Sequence, residues 1–217
     1  MGIAVLILGE SGTGKTCSLR NFEPSEIGIF NVANKPLPFR KQMINIVNNA
    51  TYELIKRIFA KPKLKKYVVD DSQYLMAFEF FDKANVRGYD KFTDIAVNFK
   101  SLIDSVRALP NDVIVYFLHH TEQSEFGGVK AKTIGKMLDQ QLSVEGMFSI
   151  VMRTKVESGQ YKFLTQNSGN DTCKSPMEMF PPVIDNDLKA VDEAIREYYQ
   201  IETNSNNESK DAEKIAA

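Results

Sequence analysis

A glycine-rich stretch that directly follows an apolar run constrains the fold of this chain more than any other feature. The run at residues 3–8 is unbroken and rich in branched side chains, as expected of a strand that is buried on both faces of a sheet. Residues 9–16 read GESGTGKT and satisfy every fixed position of the pattern G-x-x-x-x-G-K-[ST]. Residues 15–21 can open a helix. Strand, glycine loop and helix in this order are typical of a loop that binds phosphate.

The residues of this loop have distinct predicted tasks. Gly12 and Gly14 let the backbone approach phosphates without an obstructing Cβ, and Lys15 brings a compact positive charge to the β and γ phosphates of a nucleotide. The hydroxyl of Thr16 is predicted to bind Mg²⁺. The alternative is a glycine-rich turn that matches by chance, which the flanking strand and helix disfavour. The predicted nucleotide-binding residues are Gly9, Glu10, Ser11, Gly12, Thr13, Gly14, Lys15, Thr16 and Cys17.

Two adjacent acids end the apolar strand at residues 67–71. An acid at the end of a strand downstream of a phosphate loop is the pattern that holds Mg²⁺ in nucleotidases, so Asp70 is predicted to share the ion with Thr16. Asp71 stands where many such nucleotidases carry the carboxylate that positions or deprotonates the attacking water. The alternative role of Asp71 is to cap the following helix.

Two histidines follow the apolar strand at residues 113–118. A polar residue at the end of a strand beside the phosphate loop can sense the γ phosphate, by hydrogen bonding to it or to the attacking water. Lys15, Asp71, His119 and His120 are therefore the candidate catalytic residues. Structural hydrogen bonding is the alternative for the two histidines. Zinc is disfavoured, because adjacent residues on a strand point to opposite faces and no third ligand is evident.

Three polar segments admit either a functional or a structural interpretation. Residues 34–41 contain two prolines and leave the carboxyl end of a strand, so we expect a loop beside a ligand or a neighbouring subunit, or else a surface connection. The basic turn at residues 61–66 is expected to be solvated, with nucleic-acid contact as the alternative. In a ring or filament Lys130, Lys132 and Lys136 could reach a neighbouring subunit's nucleotide; otherwise they are surface charges.

Hydrophobic periodicity predicts one α/β domain over residues 1–200, with a mainly parallel central sheet flanked by helices. Further strands are predicted at residues 27–32, 113–118, 147–152 and 161–165, the last two forming an antiparallel edge hairpin. Helices are predicted at residues 51–59, 72–86, 92–109, 138–144 and 187–199. Gly127 and Gly128 indicate a hairpin within residues 122–132, with Phe126 and Val129 beside the turn. Residues 201–217 are polar, weakly patterned and expected to be disordered.

Composition limits the class of protein and its partners. With 27 basic and 28 acidic residues the chain has no global basic field of the kind that marks a dedicated nucleic-acid binder, although a local patch is compatible with these counts. Two cysteines, Cys17 and Cys173, lack metal-ligand spacing and are too few for a disulfide framework, which fits a reducing compartment. No run approaches the ~20 apolar residues of a membrane helix. We therefore expect a soluble, cytoplasmic protein without membrane contact.

Several segments together carry a family resemblance. GESGTGKT, YVVDD, the strand that ends in two histidines and the terminal hairpin resemble the RecA-like branch of P-loop ATPases. More closely, VVDDSQYLMAFEFF, GYDKFTDIA, KTIGKMLD, SPMEMFP and DNDLKAVDEAIREYY resemble small AAA-family ATPases encoded by bacteriophages, often adjacent to recombination and replication functions. The resemblance covers about residues 3–200. It implies a RecA-like fold and hydrolysis of ATP with Mg²⁺ through Lys15, Thr16 and Asp70, in the cytoplasm of the host cell.

The resemblance also suggests partners. Because some members of the broader group are single-strand-annealing ATPases, it suggests single-stranded DNA and a phage single-strand-binding or annealing protein, and it is compatible with a homo-oligomer.

The chain departs from the pattern at the water-activating residue. RecA proteins place a glutamate after the second strand, where this chain has Asn31 and Asn34, and AAA+ proteins place one directly after the Walker acid, where it has Asp71. We therefore expect either that hydrolysis is slow or that Asp71 takes the place of this glutamate. The alternative function is a nucleotide-controlled loader or regulatory protein with little hydrolysis.

Overall fold

A nine-stranded, mainly parallel sheet crosses the part of the chain that this computed structural model describes, residues 1–124 and 127–201. Its strands are β1 (Ile3–Gly9), β2 (Gly28–Asn31), β3 (Ile46–Asn48), β4 (Lys66–Asp70), β5 (Ile114–Gln123), β6 (Val129–Ala131), β7 (Ile150–Glu157), β8 (Gln160–Leu164) and β9 (Val183–Asp185). Their spatial order is β3-β2-β4-β5-β1-β7-β8-β9, with β6 paired to β5. Neighbours from β3 to β7 are parallel, whereas the β7–β8, β8–β9 and β5–β6 pairs are antiparallel. The predicted α/β class and mainly parallel sheet are confirmed. The predicted antiparallel hairpin is present as β7 and β8, but it does not form the edge of the sheet, because β9 pairs outside β8.

Helices cover both faces of the sheet. They are α1 (Tyr52–Phe59), α2 (Gln73–Asp82), α3 (Asp90–Arg107) and α4 (Leu188–Tyr198). The first three pack together on one face, while α4 packs on the other face against a short 3-10 helix at Thr16–Asn21. Thr51 begins α1 and accepts a hydrogen bond from the Leu54 amide, as its position before an apolar periodic run predicts.

Successive side chains of the central strands alternate strictly between the two faces of the sheet. On β5, Val115 and Phe117 face the α1–α3 layer, whereas Ile114, Tyr116 and Leu118 face the α4 layer. All five are fully buried, which is why the run is continuously apolar instead of alternating with polar residues. Each such side chain stabilises the fold by about 1.5–3 kcal/mol relative to an exposed one.

A buried ionic cluster fixes the position of α4. The Asp192 carboxylate accepts hydrogen bonds from Tyr116 Oη (2.9 Å) and Arg196 Nε (2.7 Å). The Arg196 guanidinium also donates to the backbone carbonyls of Asp112 and Lys65, both at 3.0 Å. These contacts tie the far end of α4 to the amino edge of the sheet, so that its first residues lie near residues 9–16 at the carboxyl edge.

Several predicted boundaries differ from the structure. The helix predicted after the glycine loop is a six-residue 3-10 helix that ends before Pro24. The helix predicted at residues 138–144 is a single π-helical turn at Met137–Gln141, and the helix predicted at residues 72–86 ends at Asp82. The predicted hairpin at residues 122–132 is present as β5 and β6.

Some predictions fall on residues that the structure does not describe. Phe126, expected beside the turn of the β5–β6 hairpin, lies outside the described residues, and so does the predicted tail beyond residue 201. Within residues 1–124 and 127–201, no helix has the length and apolar character needed to cross a membrane.

Candidate functional site

A cleft of about 220 Å³ opens at the carboxyl edge of the sheet, where β1, β4 and β5 end. Gly9 pairs with His120 in the β1–β5 register, which brings the glycine loop beside the end of β5. The cleft is lined by Ser11, Gly12, Gly14, Lys15, Thr16, Cys17, Lys35, Pro36, Pro38, Asp70, Asp71 and His120. Residues from four separate segments thus meet at the edge where open α/β sheets place their ligands.

The glycine loop is braced from the neighbouring strand β7. Thr13 Oγ1 and Thr154 Oγ1 are 2.6 Å apart, and Thr154 Oγ1 donates to the Leu8 carbonyl at 3.2 Å. A Cβ at Gly9 would lie only 1.9 Å from Thr154 Oγ1, so this position requires glycine for steric reasons. Gly14 adopts a φ of 96°, in the left-handed region that favours glycine.

Lys15 is buried under the loop that carries it. Its ammonium donates to the backbone carbonyls of Gly9 (2.8 Å) and Glu10 (2.9 Å), and only 6% of the residue is exposed. Burial lowers the pKa of Lys15 to about 8, although the charges of Asp71 and Asp70 act in the opposite direction. The ammonium is therefore mostly charged at pH 7. Its two acceptors are neutral backbone carbonyls, which an anion can replace.

Thr16 and Asp70 are in direct contact. Thr16 Oγ1 donates to the Asp70 carboxylate and lies 2.9 Å from Oδ1 and 3.2 Å from Oδ2. Burial and the adjacent charge of Asp71 raise the pKa of Asp70 to about 6, against the effect of the Thr16 hydrogen bond. The negative charge of Asp70 is thus unfavourable in the free protein, and a nearby cation would stabilise it.

Asp71 has a left-handed backbone, with a φ of 56°, and its side chain does not cap α2. The carboxylate instead accepts from Lys35 Nζ (2.7 Å) and His120 Nε2 (3.1 Å). Burial favours a higher pKa for Asp71, but these two partners outweigh it and lower the pKa to about 2. Lys35 Nζ also lies 4.9 Å from the centre of the Tyr74 ring. The capping role that the sequence left open for Asp71 is therefore wrong, and its carboxylate faces the cleft.

The two histidines lie in different environments. His120 lines the cleft and contacts Asp71. The His119 side chain is fully buried outside it: Nε2 donates to the Lys132 carbonyl (2.8 Å), which leaves Nδ1 to accept from Ser72 Oγ (2.9 Å). Burial lowers the pKa of His119 to about 4, so the ring is neutral at pH 7. The structure brings His120, but not His119, together with the other candidate catalytic residues.

The donor set of the cleft suits Mg²⁺. The Thr16 hydroxyl and the Asp70 carboxylate offer hard oxygen ligands side by side, and Mg²⁺ is usually held by one or two such groups together with phosphates and waters. Over the described ranges of the chain, no cluster of three or more His, Cys, Asp or Glu side chains forms a denser metal site. The two side chains therefore suit a Mg²⁺ ion that a bound phosphate would help to hold.

The basic turn at residues 61–66 lies at the opposite edge of the sheet, because it leads into the start of β4. Lys65 pairs with Asp112 at 2.6 Å, and Lys66 contacts Asp192 at 3.2 Å and Glu26. Two lysines of this turn thus stabilise the fold. Of the lysines after the β5–β6 turn, Lys130 pairs with Glu122 at 3.4 Å.

Four residues of this region were not predicted from the sequence. Lys35 lies within the proline-containing loop that was expected beside a ligand, so its position has a sequence signal but its ion pair with Asp71 has none. Thr154, Tyr161 and Asn186 come from β7, β8 and the turn before α4, and Tyr161 and Asn186 both approach Gly14. No local pattern marks these three.

Comparison with known proteins gives no family assignment. No protein-family model matches the chain, and neither does any curated protein. Its function is therefore argued from the residues of the cleft.

Proposed function

We propose that this chain is a RecA-like P-loop protein that binds ATP with Mg²⁺ and hydrolyses it. The observation that carries the proposal is the hydrogen bond of 2.9 Å from Thr16 Oγ1 to Asp70. Thr16 is the last residue of the glycine loop and directly follows Lys15. The two oxygen ligands come from segments 54 residues apart. A chance match to a glycine pattern gives no reason for an acid from another strand to meet the threonine.

The proposed binding mode exchanges existing contacts for new ones. In the free protein Lys15 donates to two backbone carbonyls of its own loop. We propose that the ammonium turns to the β and γ phosphates, and that the backbone amides of Gly12 to Lys15 complete the cradle. Thr16 and Asp70 would hold Mg²⁺, which would neutralise charge on the phosphates.

The proposed catalytic group is the pair Asp71 and His120. Their contact of 3.1 Å fixes the Asp71 carboxylate at the mouth of the cleft, where it would accept a hydrogen bond from the attacking water and orient it toward the γ phosphate. Lys35, bound to the other oxygen of Asp71, would supply positive charge near the developing negative charge.

A second candidate function has its own support. A carboxylate with a pKa of about 2 is a weak proton acceptor, which favours slow hydrolysis. In that case the protein is a nucleotide-controlled loader or regulator, and the contact between Asp71 and Lys35 links the nucleotide state to the loop at Pro36 and Pro38. A partner retained in only one nucleotide state, with turnover near background, would favour this candidate.

The proposed biological setting is DNA recombination or replication of a bacteriophage, with single-stranded DNA as partner. It rests on the family resemblance of the sequence segments. A net charge of −1 means that any DNA contact has to be local.

The test is an ATPase assay with and without single-stranded DNA over a range of salt concentrations. We expect Lys15→Ala to abolish nucleotide binding, and Asp71→Asn to bind ATP normally and turn over at least about tenfold more slowly. Normal turnover by Asp71→Asn would remove Asp71 from the mechanism. Intact ATP binding without stimulation by DNA at any salt concentration would exclude the DNA partner.

A further inference from the structure

A groove of about 440 Å³ lies beside β3, the strand at one edge of the sheet. It runs between β3, the second half of α1 and the basic turn at residues 61–66. No residue lines both this groove and the cleft at the glycine loop. The groove is therefore a separate site, and a ligand bound there does not need the nucleotide.

The charged residues of the groove are all basic. Arg57, Lys61 and Lys63 line it, and none of the described residues in its lining is acidic. All three are exposed, and their side chains form no hydrogen bond or ion pair with any residue that the structure describes. Lys65 and Lys66 of the same turn, by contrast, pair with acids of the fold. Three unpaired cations around one groove attract an anionic partner.

The rest of the groove is largely apolar. Ile46 and Val47 of β3 line it together with Ile58 of α1 and Leu64 of the basic turn. These four residues are partly buried and pack against the core. A ligand that suits the groove therefore carries apolar groups beside its negative charges.

The outer edge of β3 offers backbone hydrogen bonds. β3 is the last strand of the sheet, and no strand of the described chain pairs with its outer side. The Ile29 amide of β2 donates to the Asn45 carbonyl at 2.8 Å. Because successive peptide groups of a strand point in alternate directions, those of Ile46 and Asn48 point away from β2. Their amides and carbonyls form a template for one more strand.

We propose that the groove binds an extended, acidic segment of a partner protein, which adds to the outer edge of β3 as a further strand. Backbone hydrogen bonds to Ile46 and Asn48 hold the segment, and its alternate apolar side chains enter the groove. Its acidic side chains meet Arg57, Lys61 and Lys63.

Two other occupants fit the groove less well. A second copy of this chain is disfavoured, because pairing of two β3 edges would bring the basic residues of both copies together. Single-stranded nucleic acid is disfavoured because the two aromatic residues of the lining, Phe30 and Tyr67, are only 1% and 3% exposed and present no ring for base stacking.

Fluorescence anisotropy with labelled peptides and the full chain tests the proposal. The probes are the heptapeptide EVTVTVE, the same peptide with lysine in place of both glutamates, and oligothymidine of about 20 nucleotides. We expect the acidic peptide to bind at least about tenfold more tightly than the lysine peptide. The double variant Lys61→Glu, Lys63→Glu should weaken binding of the acidic peptide about tenfold and remove this preference.

The matched control is the double variant Arg87→Glu, Lys132→Glu. It changes the net charge by the same amount at two exposed residues that do not line the groove, so affinity should stay within about twofold of the wild type. None of the four substituted side chains has a partner among the described residues, so both double variants should keep the thermal midpoint of the wild type.

Methylation of the peptide backbone tests the strand geometry. Alternate amides of an added strand point toward β3, so N-methylation of one alternate set should abolish binding while methylation of the other set is tolerated. Failure of the acidic peptide to bind would overturn the proposal, as would equal binding of the acidic and lysine peptides. Equal tolerance of the two methylated forms would also overturn it, and so would an equal loss of affinity in the control variant. Tighter binding of oligothymidine than of the acidic peptide, lost in Lys61→Glu, Lys63→Glu, would assign the groove to nucleic acid instead.

Discussion

Lys35 Nζ lies 2.7 Å from Asp71 Oδ2, and this ion pair joins the proline-containing loop to the end of β4. The other Asp71 oxygen accepts from His120, so both oxygens of one carboxylate are occupied in the free protein. Asp71 is therefore a stabilising residue before any ligand arrives, and its neighbour Asp70, with a raised pKa, is a destabilising one. The two adjacent acids are expected to respond to substitution in opposite directions.

Loss of the ion pair should lower stability modestly. We expect Lys35→Met to reduce the free energy of unfolding at pH 7 by about 1 kcal/mol, a value discounted because the Lys35 side chain is 57% exposed. The Asp71 contribution is present above its unfolded pKa near 3.8 and is lost as the pH falls toward 2. Urea unfolding of Lys35→Met, Asp71→Asn and the double variant should give a coupling of similar size. Lys155→Met, which removes an exposed pair with Glu157, is the control with less than about 0.5 kcal/mol. Additive single effects would show that the pair contributes nothing.

Neutralising Asp70 should stabilise the protein in the absence of ligand. The folded pKa of about 6 exceeds the ordinary value of 3.8, so the folded state binds the proton more tightly and loses stability as the pH rises from about 4 to 6. Asp70→Asn abolishes this loss, and we expect a gain of about 2 kcal/mol at pH 7.5 that shrinks at pH 5. Urea unfolding at the two pH values, without Mg²⁺ or nucleotide, measures it. A variant less stable than the wild type at pH 7.5 would contradict the assigned burial cost.

The sequence predicted those elements whose pattern is decided locally. Continuous apolar runs indicated β1, β4 and β5, because strands buried on both faces need apolar residues at every position. The short edge strands β3 and β9 were missed. Each has three residues with partly exposed side chains, and so each lacks the apolar signal.

The same distinction between local and tertiary information applies to the site. The glycine loop is one continuous segment and Asp70 ends a strand, so the sequence alone predicted that Thr16 and Asp70 lie together. The structure brings them within hydrogen-bond distance. Thr154 contacts the loop from 141 residues away, and Asn186 approaches Gly14 from the turn before α4. Such positions depend on the tertiary fold, since any strand can carry a threonine and any turn an asparagine.

The contact between the loop and β7 predicts a non-additive pair of substitutions. In Gly9→Ala the new Cβ would meet Thr154 Oγ1 at 1.9 Å, and we expect a loss of about 1–3 kcal/mol. Thr154→Ala removes that atom and alone loses about 1 kcal/mol with its hydrogen bonds. The double variant should be more stable than the sum of the two losses predicts, as measured by urea unfolding.

Gly12→Ala is the control for this pair. No atom lies within 4 Å of a Cβ at Gly12, so its cost of about 1–2 kcal/mol comes from the φ of 79° alone. Thr154→Ala should therefore give it no relief. Equal rescue of both glycine variants by Thr154→Ala would show that the substitution acts on the loop as a whole and not through the close contact.

The lowered pKa of Lys15 predicts that phosphate binding takes up a proton in mildly alkaline solution. With a pKa of about 8 the free ammonium is partly neutral at pH 8.5, whereas a bound polyanion would hold it charged. We expect uptake of about 0.75 proton per triphosphate at pH 8.5 and about 0.1 at pH 7, measured by calorimetry in two buffers of different ionisation enthalpy. Affinity should accordingly fall as the pH rises above 8. Asp71 is fully ionised at both pH values. Asp70, with a pKa of about 6, is about one tenth protonated at pH 7, and release of that proton to a bound cation would offset the small uptake at pH 7 but not the uptake at pH 8.5. Uptake that is the same at pH 7 and pH 8.5 would mean that Lys15 does not meet the phosphates.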